Sequence, residues 1–415
     1  MRIIYYLAFM LAFLLSLLSA KAQHKGNITS TRDYAVTLFD KEHVNFDPVS
    51  YKTVSTDSKG IVRLSNGRIL LKKIQVPEFK KNVQTTVRIK LSSAGDRWDK
   101  SGSLFVLPRK SLINFINIAE GQKSFPQPEI GTESFYGIVP GEDYQPVLEL
   151  MRFMTPFGVG AYSDSIRFRH RKPVYIPKWE KEVVWEQNIS SLLPALEGEI
   201  WVGAWIDTWT KEGYNLSAEL NFKESQLKCD IKKPSQVSTL VNTVYYLNPQ
   251  KQVDLFARKD LEVSSVIPAN AKNIRLKYIV TGHGGHDGGD EFVPQENIIS
   301  VDGKVTYKFT PWRDDCASFR RFNPGSGVWL QKDTAQYIDE ASGTYKEKVI
   351  EERIASSDYS RSNWCPGTDV TPVEIPLAGI RPGKHTFKFS IPHAQQIEGD
   401  KMNHWLISAY LLWDE

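Results

Sequence analysis

Several things are scarce in this chain, and each scarcity excludes something. Lysine and arginine total 52 against 48 aspartates and glutamates, with the two signs interspersed. A nucleic-acid partner requires extensive basic clustering, and charges interspersed in this way do not suggest one. Beyond residue 22 no run is long and apolar enough to cross a bilayer. No segment sustains a helical period for more than about two turns, and no internal repeat of fixed period appears. Only three cysteines occur, Cys229, Cys316 and Cys365. In an exported chain these allow one bridge and leave one thiol over. Cys316 and Cys365 sit in the Trp-rich loop sequences WRDDC and NWCPG and are the expected pair. Cys229 is then a free, buried thiol.

Export itself is read from residues 1–22. Arg2, the apolar run YYLAFMLAFLLSLLS and the small-x-small step Ala20-Lys21-Ala22 before Gln23 have the layout of a secretory signal peptide. The run is short for a membrane anchor, and no cysteine follows it to carry a lipid. The mature chain is expected to be periplasmic or secreted, and off the membrane.

What is plentiful points to β-structure. TVRIKLS, EIWVGAWI, LSAELNF, IRLKYIV, KVTYKF, HTFKFSI and HWLISAYLLW are short, rich in branched or aromatic residues, and separated by Gly, Pro, Asn or Asp. LINFINIAEG and ALEG are the best short-helix candidates. The length exceeds what one core usually serves, so two all-β domains are expected. The boundaries read as a leader over 1–22, an N-terminal extension over 23–60, and domains over 61–228 and 229–415. The seam falls in the polar, Pro-containing stretch near 229–240. LQKDTAQYIDEASGTYKEK is polar and charge-rich, and reads as a loop unable to hold itself in place.

Candidate chemistry lies at strand ends, where all-β scaffolds carry function. DRWDKSGSLFVL sets Asp96, Trp98 and Asp99 before a strand. WIDTWTKEGYNL sets Asp207 between Trp205 and Trp209, and GDEFVPQEN sets Asp290 and Glu291 before another strand. Carboxylates flanked by aromatic faces are the raw material of carbohydrate hydrolysis. TGHGGHDGGDEF, residues 281–292, reads either as a metal site or as a glycine-rich loop presenting carboxylates to a polar substrate.

At these residues the chain resembles the peptide-N-glycosidase F family. The resemblance is carried in order by DRWDKSGSLFV, RFMTPFGVG, IDTWTKEGYNLSAEL, GDEFVPQENIISVDG and SRSNWCPGTDVTPVEI, and spans residues about 61–415. It implies two adjacent antiparallel eight-stranded jelly rolls with the active site between them. It also implies an amidase that cleaves the Asn–GlcNAc bond of N-linked glycoproteins and glycopeptides, as a monomer and without a cofactor. By the same resemblance Asp99 is the primary catalytic acid, Glu291 the second and Asp207 a third. Arg361 orients the carboxylates, Trp98 and Trp209 flank the core sugars, and Lys100, Asp96, His283 and Trp364 complete the substrate site. Cys316–Cys365 matches a family disulfide.

The chain departs from the family pattern in places. KLSSAG replaces one cysteine pair, GGDEFVP lacks the cysteines around the second acid, Asp207 stands for Glu, Lys100 stands for Arg, and residues 105–150 read as an insertion. The double jelly roll also resembles copper monooxygenases acting on peptidyl glycine, for which His283 and His286 are candidate ligands. Such a site needs further His and a Met ligand in both domains, whereas the chain has eight His in all and His170 is isolated. A glycan-binding module without catalysis would keep Trp98 and Trp209 but need not keep both Asp99 and Glu291.

Overall fold

A computed structural model describes residues 33–126, 135–163, 176–227 and 235–415. The expected leader, His170, Cys229 and the start of the expected seam lie outside these residues. The chain is all-β and forms two sandwiches, as its short alternating segments imply. In the first, a four-stranded sheet ordered Asp33–Val44, Tyr214–Glu224, Val83–Ser93, Val183–Asn188 faces a seven-stranded sheet. The latter is ordered Asp369–Val370, Leu148–Met154, Ser101–Val106, Gly198–Ile206, Ile69–Val76, Ile61–Leu64, Ser55–Thr56. The second sandwich has eight strands, four facing four. Its sheets run Ser235–Asn242, His404–Asp414, Lys272–His283, Val373–Pro376 and Leu261–Ile267, Gly383–Ser390, Asn297–Val301, Lys304–Phe309.

Burial follows from the strand period. In Val83–Ser93 the residues Val83, Val87, Ile89 and Leu91 point into the core while Gln84 and Arg88 face out. Ser101–Val106 and Leu148–Met154 are buried along their whole length, and the two charges of the latter, Glu149 and Arg152, are paired with each other. The second face of their sheet is covered by Val244–Leu247 and Leu406 of the second sandwich, and by Phe115, Phe125 and Tyr144. The last three belong to the 105–150 segment. There Asn114 caps the short helix Phe115–Ala119 by accepting from the backbone of Ile116 and Asn117. The other expected helix forms only in part, as Leu193–Leu196, because Gly198 of ALEG already begins a strand. Ile138 of the same segment joins the core of the second sandwich, and its carbonyl accepts from Asn242 N at 2.9 Å. The segment thus packs both sandwiches together.

One expectation fails. The polar stretch after Cys316 is a regular antiparallel ribbon, Val328–Asp339 paired with Thr344–Ala355, rather than a loop. Both its faces meet solvent, so its sequence carries no alternation to announce it. Cys316 and Cys365 are bridged, with Cα atoms 5.1 Å apart, and the bridge closes the base of this ribbon.

Candidate active site

The first sandwich contributes Asp99 from the turn that follows Val83–Ser93. Asp96 is the anchor of that turn. One of its carboxylate oxygens accepts from Trp98 N at 3.0 Å and the other from Thr208 Oγ1 at 2.7 Å. Tyr214 Oη donates to Trp98 O at 2.6 Å, and Lys100 N donates to Thr155 Oγ1 at 2.7 Å. With the backbone on both sides of residue 99 pinned, the Asp99 side chain turns toward the second sandwich. Its Oδ2 lies 3.7 Å from Arg361 Nη2.

The second sandwich contributes Glu291 from the glycine loop at the end of Lys272–His283. The glycines permit close approach. A Cβ on Gly282 would lie 2.7 Å from the Trp405 ring, and one on Gly289 would lie 2.2 Å from Gly284 O. Asp290 and Glu291 divide the work. Asp290 turns inward, accepting from Trp405 Nε1 at 3.0 Å and Gln395 N at 3.1 Å. Glu291, also buried, turns to Arg361 instead and accepts from its Nε at 2.9 Å. Arg361 is fully enclosed. It donates to Tyr359 O at 2.8 Å and Ser356 O at 2.9 Å, with the rings of Phe292 and Trp364 at 5.1 and 4.9 Å. One guanidinium therefore joins an acid from each sandwich.

Burial pushes the Glu291 carboxyl up to about 7; Arg361 opposes the shift and Asp99 adds to it. Burial also raises Asp99, against the pull of Arg361 and Lys100. The pair can hold one proton near neutrality, the arrangement that lets one carboxyl act as acid and the other as base.

Asp207 sits in a separate nest. Its Oδ2 accepts from Tyr245 Oη at 2.8 Å, and its Oδ1 accepts from Trp209 Nε1 at 3.0 Å and faces Arg68 Nη1 at 3.5 Å. Burial raises its pKa, opposed by the Tyr245 hydrogen bond and by Arg68. The Arg68 guanidinium lies 4.2 Å from the Trp209 ring centroid, and Phe46 packs against the same ring at 5.1 Å. From Asp207 a run of contacts leads back to Arg361. Tyr245 Oη is 3.4 Å from His404 Nε2, His404 stacks on His283 at 5.0 Å, and His283 stacks on Trp364 at 5.4 Å. Burial holds His404 down at about 4 and His283 well below its ordinary value, so both rings stay neutral near pH 7.

The sequence-read residues thus fall into two groups. Trp98 and Trp209 are 52% and 48% exposed and Asp99, Asp207 and Lys100 are half-buried, whereas Glu291, at 8%, is buried against Arg361. Asp96, His283 and Trp364, expected against sugar, are 1%, 7% and 2% exposed and support the site from beneath. Sequence reading missed Phe46, Arg68, Tyr245 and His404, which lie in no recognisable motif and reach Asp207 or one another only through the packing of distant segments. It also missed Arg152, inside RFMTPFGVG. Arg152 is buried against Glu149 at 2.7 Å and donates to Thr281 Oγ1 at 3.3 Å, which in turn lies 2.8 Å from His283 Nε2. As for a metal, no three His, Cys, Asp or Glu side chains converge among the described residues. His286 Nδ1 engages Asp287 O at 3.1 Å, away from the contacts of His283.

Two family profiles match the chain, the N-terminal part of peptide-N-glycosidase F over residues 35–222 and the C-terminal part over residues 251–412. The chain belongs to the peptide-N-glycosidase F family. PNGF-II, solved in two crystal forms, is 36% and 35% identical, with TM-scores of 0.76 and 0.77. Each match covers 92% of this chain and 66% or 65% of PNGF-II, so the chain spans just under two thirds of that protein. PNGase F from Flavobacterium meningosepticum, described as a glycosylasparaginase, is 14% identical with a TM-score of 0.54, covering 92% of this chain and 96% of that one. At that identity the likeness is one of fold. No curated protein matches the chain.

Proposed function

We propose that this family member is a peptide-N-glycosidase, hydrolysing the amide between Asn and N-acetylglucosamine in N-linked glycoproteins and glycopeptides. The observation that carries the reading is the single guanidinium of Arg361 between Asp99 of one sandwich and Glu291 of the other. Asp99, the more loosely held of the two, takes a proton from water as it attacks the Asn acyl carbon. Glu291, protonated near neutrality, gives its proton to the nitrogen of the leaving glycosylamine. Arg361 stabilises the Glu291 carboxylate that this transfer leaves behind. Trp98, Trp209 and Asp207 receive the core sugars, with Lys100 between the acids. The attack leaves Asp on the peptide and a glycosylamine that later loses ammonia, with no metal or cofactor required.

Export fits the same reading. The apolar leader precedes a chain that carries a disulfide, and no helix among the described residues is long and apolar enough to cross a membrane. The substrate is then met outside the cytoplasm. The test is mass analysis of a denatured glycoprotein after incubation. Each released site should differ from Asn by the exchange of NH for O, and the free glycan should keep both core GlcNAc residues. A GlcNAc left on the peptide would mark an endoglycosidase and end the amidase reading.

A further inference from the structure

From Arg361 the contacts run two ways. Through Trp364, His283, His404 and Tyr245 they reach Asp207 and the Trp209 platform. Through Phe292 they reach Trp329 at 5.6 Å and Tyr359 at 6.1 Å, and Trp329 and Tyr359 are themselves 4.8 Å apart. Trp329 is 39% exposed although two aromatic rings flank it. It is the second residue of the ribbon strand Val328–Asp339, and Ile354 and Ile350 lie on the same face, opposite Trp329 and Asp333. Each ribbon strand pairs only with the other, so among the described residues both outer edges present unpaired backbone groups.

The proposed substrate constrains what lies here. The acyl carbon under attack is two bonds from the Cα of its Asn, so the polypeptide must pass beside Arg361 when the amide is in place. The glycan occupies the Trp98 and Trp209 side. The surface left to the polypeptide, continuous with the acids, is the Trp329–Tyr359–Phe292 cluster and the ribbon above it. We propose that Trp329 and the adjoining ribbon edge receive the extended polypeptide that flanks the glycosylated Asn. The ribbon edge supplies backbone hydrogen bonds, which suit any sequence, and Trp329 supplies an apolar anchor. The inference rests on the amidase reading for its substrate, and its test reads binding rather than turnover.

On an Asp99→Asn background, a labelled core glycan is titrated as the glycan on a lone Asn and as the same glycan on a peptide extending about six residues to either side, an average strand length. The longer ligand should bind about tenfold tighter. Trp329→Ala should abolish that gain while leaving the lone glycan–Asn unchanged, and Trp329→Phe should keep most of it. Val349→Ser, on the other ribbon face and 73% exposed, should change neither affinity. Equal affinity for both ligands would overturn the inference. So would an equal loss for both in Trp329→Ala, or a loss in Val349→Ser matching that of Trp329→Ala. If the unmodified protein releases no glycan while length-dependent binding persists, the amidase reading falls and the peptide surface stands.

Discussion

In the turn of the first sandwich, Asp96 is buried and bonded to Trp98 N and Thr208 Oγ1, and Asp99 three residues on meets Arg361 only across the gap between the sandwiches, at 3.7 Å. In the loop of the second sandwich, Asp290 plays the buried anchor, and the adjacent Glu291 is held at 2.9 Å by an arginine of its own sandwich. Both loops spend one acid on shape to present another. They differ in how tightly the presented acid is held, and the proposed roles follow that difference. Glu291 and Arg361 form a close, enclosed unit at 2.9 Å, whereas Asp99 meets the same guanidinium only at 3.7 Å and keeps part of its side chain exposed.

That contrast can be broken by substitution. The largest effect is expected from Asp99→Asn, which keeps the shape but removes the base. kcat should fall by about 10²–10⁴-fold, while calorimetry shows glycan binding intact. If the loss were in binding instead, Asp99 would belong with the anchors. Reducing Cys316–Cys365 comes next. The bridge spans a sequence separation of 49 residues, and opening it should cost on the order of 4 kcal/mol in the chain-entropy model. Activity should fall too, because Cys365 lies four residues from Arg361. Denaturant melts and assays with and without reductant separate the two effects.

Asp207→Asn should raise KM by about tenfold with little change in kcat, since it weakens a hydrogen-bonded nest rather than the reacting pair. Equal effects on both parameters would move Asp207 into the reacting group. A smaller effect sharpens the account of Glu291. Its carboxyl holds its proton to about 7 in the folded state against an ordinary 4.5. The unfolded chain therefore loses that proton first as pH rises. The stabilising contribution is fully present below the ordinary value and is lost as pH climbs through about 7. Thermal melts across this window should fall with pH, and Glu291→Gln should flatten the fall. Finally, a strong chelator should leave activity unchanged. Loss on chelation with recovery on added copper or zinc would return the His283–His286 loop to a metal role.

Much of this was legible in the chain. The alternation in Val83–Ser93 announces a strand with one buried face, and LINFINIAEG contains the Asn that caps its helix. The order of the acid-bearing motifs placed one carboxylate in each half. Local pattern is enough for these, because strand period, capping and turn chemistry act over a few residues. The ribbon Val328–Asp339 with Thr344–Ala355 was illegible for the converse reason: with neither face buried, no periodic apolar signal is required to form it.

Strand patterning by itself determined an all-β chain of two sandwiches, the family resemblance implied an acid at the cleft end of each, and the loop sequences around them paired Cys316 with Cys365. Tertiary structure decided which candidates reach the cleft and which lie under it. Asp96, His283 and Trp364 are indistinguishable in sequence from surface contacts, yet they are buried by partners far along the chain, such as Thr208, His404 and Gly282. Phe46 and Arg68 converge on Trp209 and Asp207 through the packing of distant loops of the first sandwich, and Tyr245 joins them from the segment after Ser235–Asn242 of the second. Burial and charge pairing act through space, so they appear only once distant segments pack against one another.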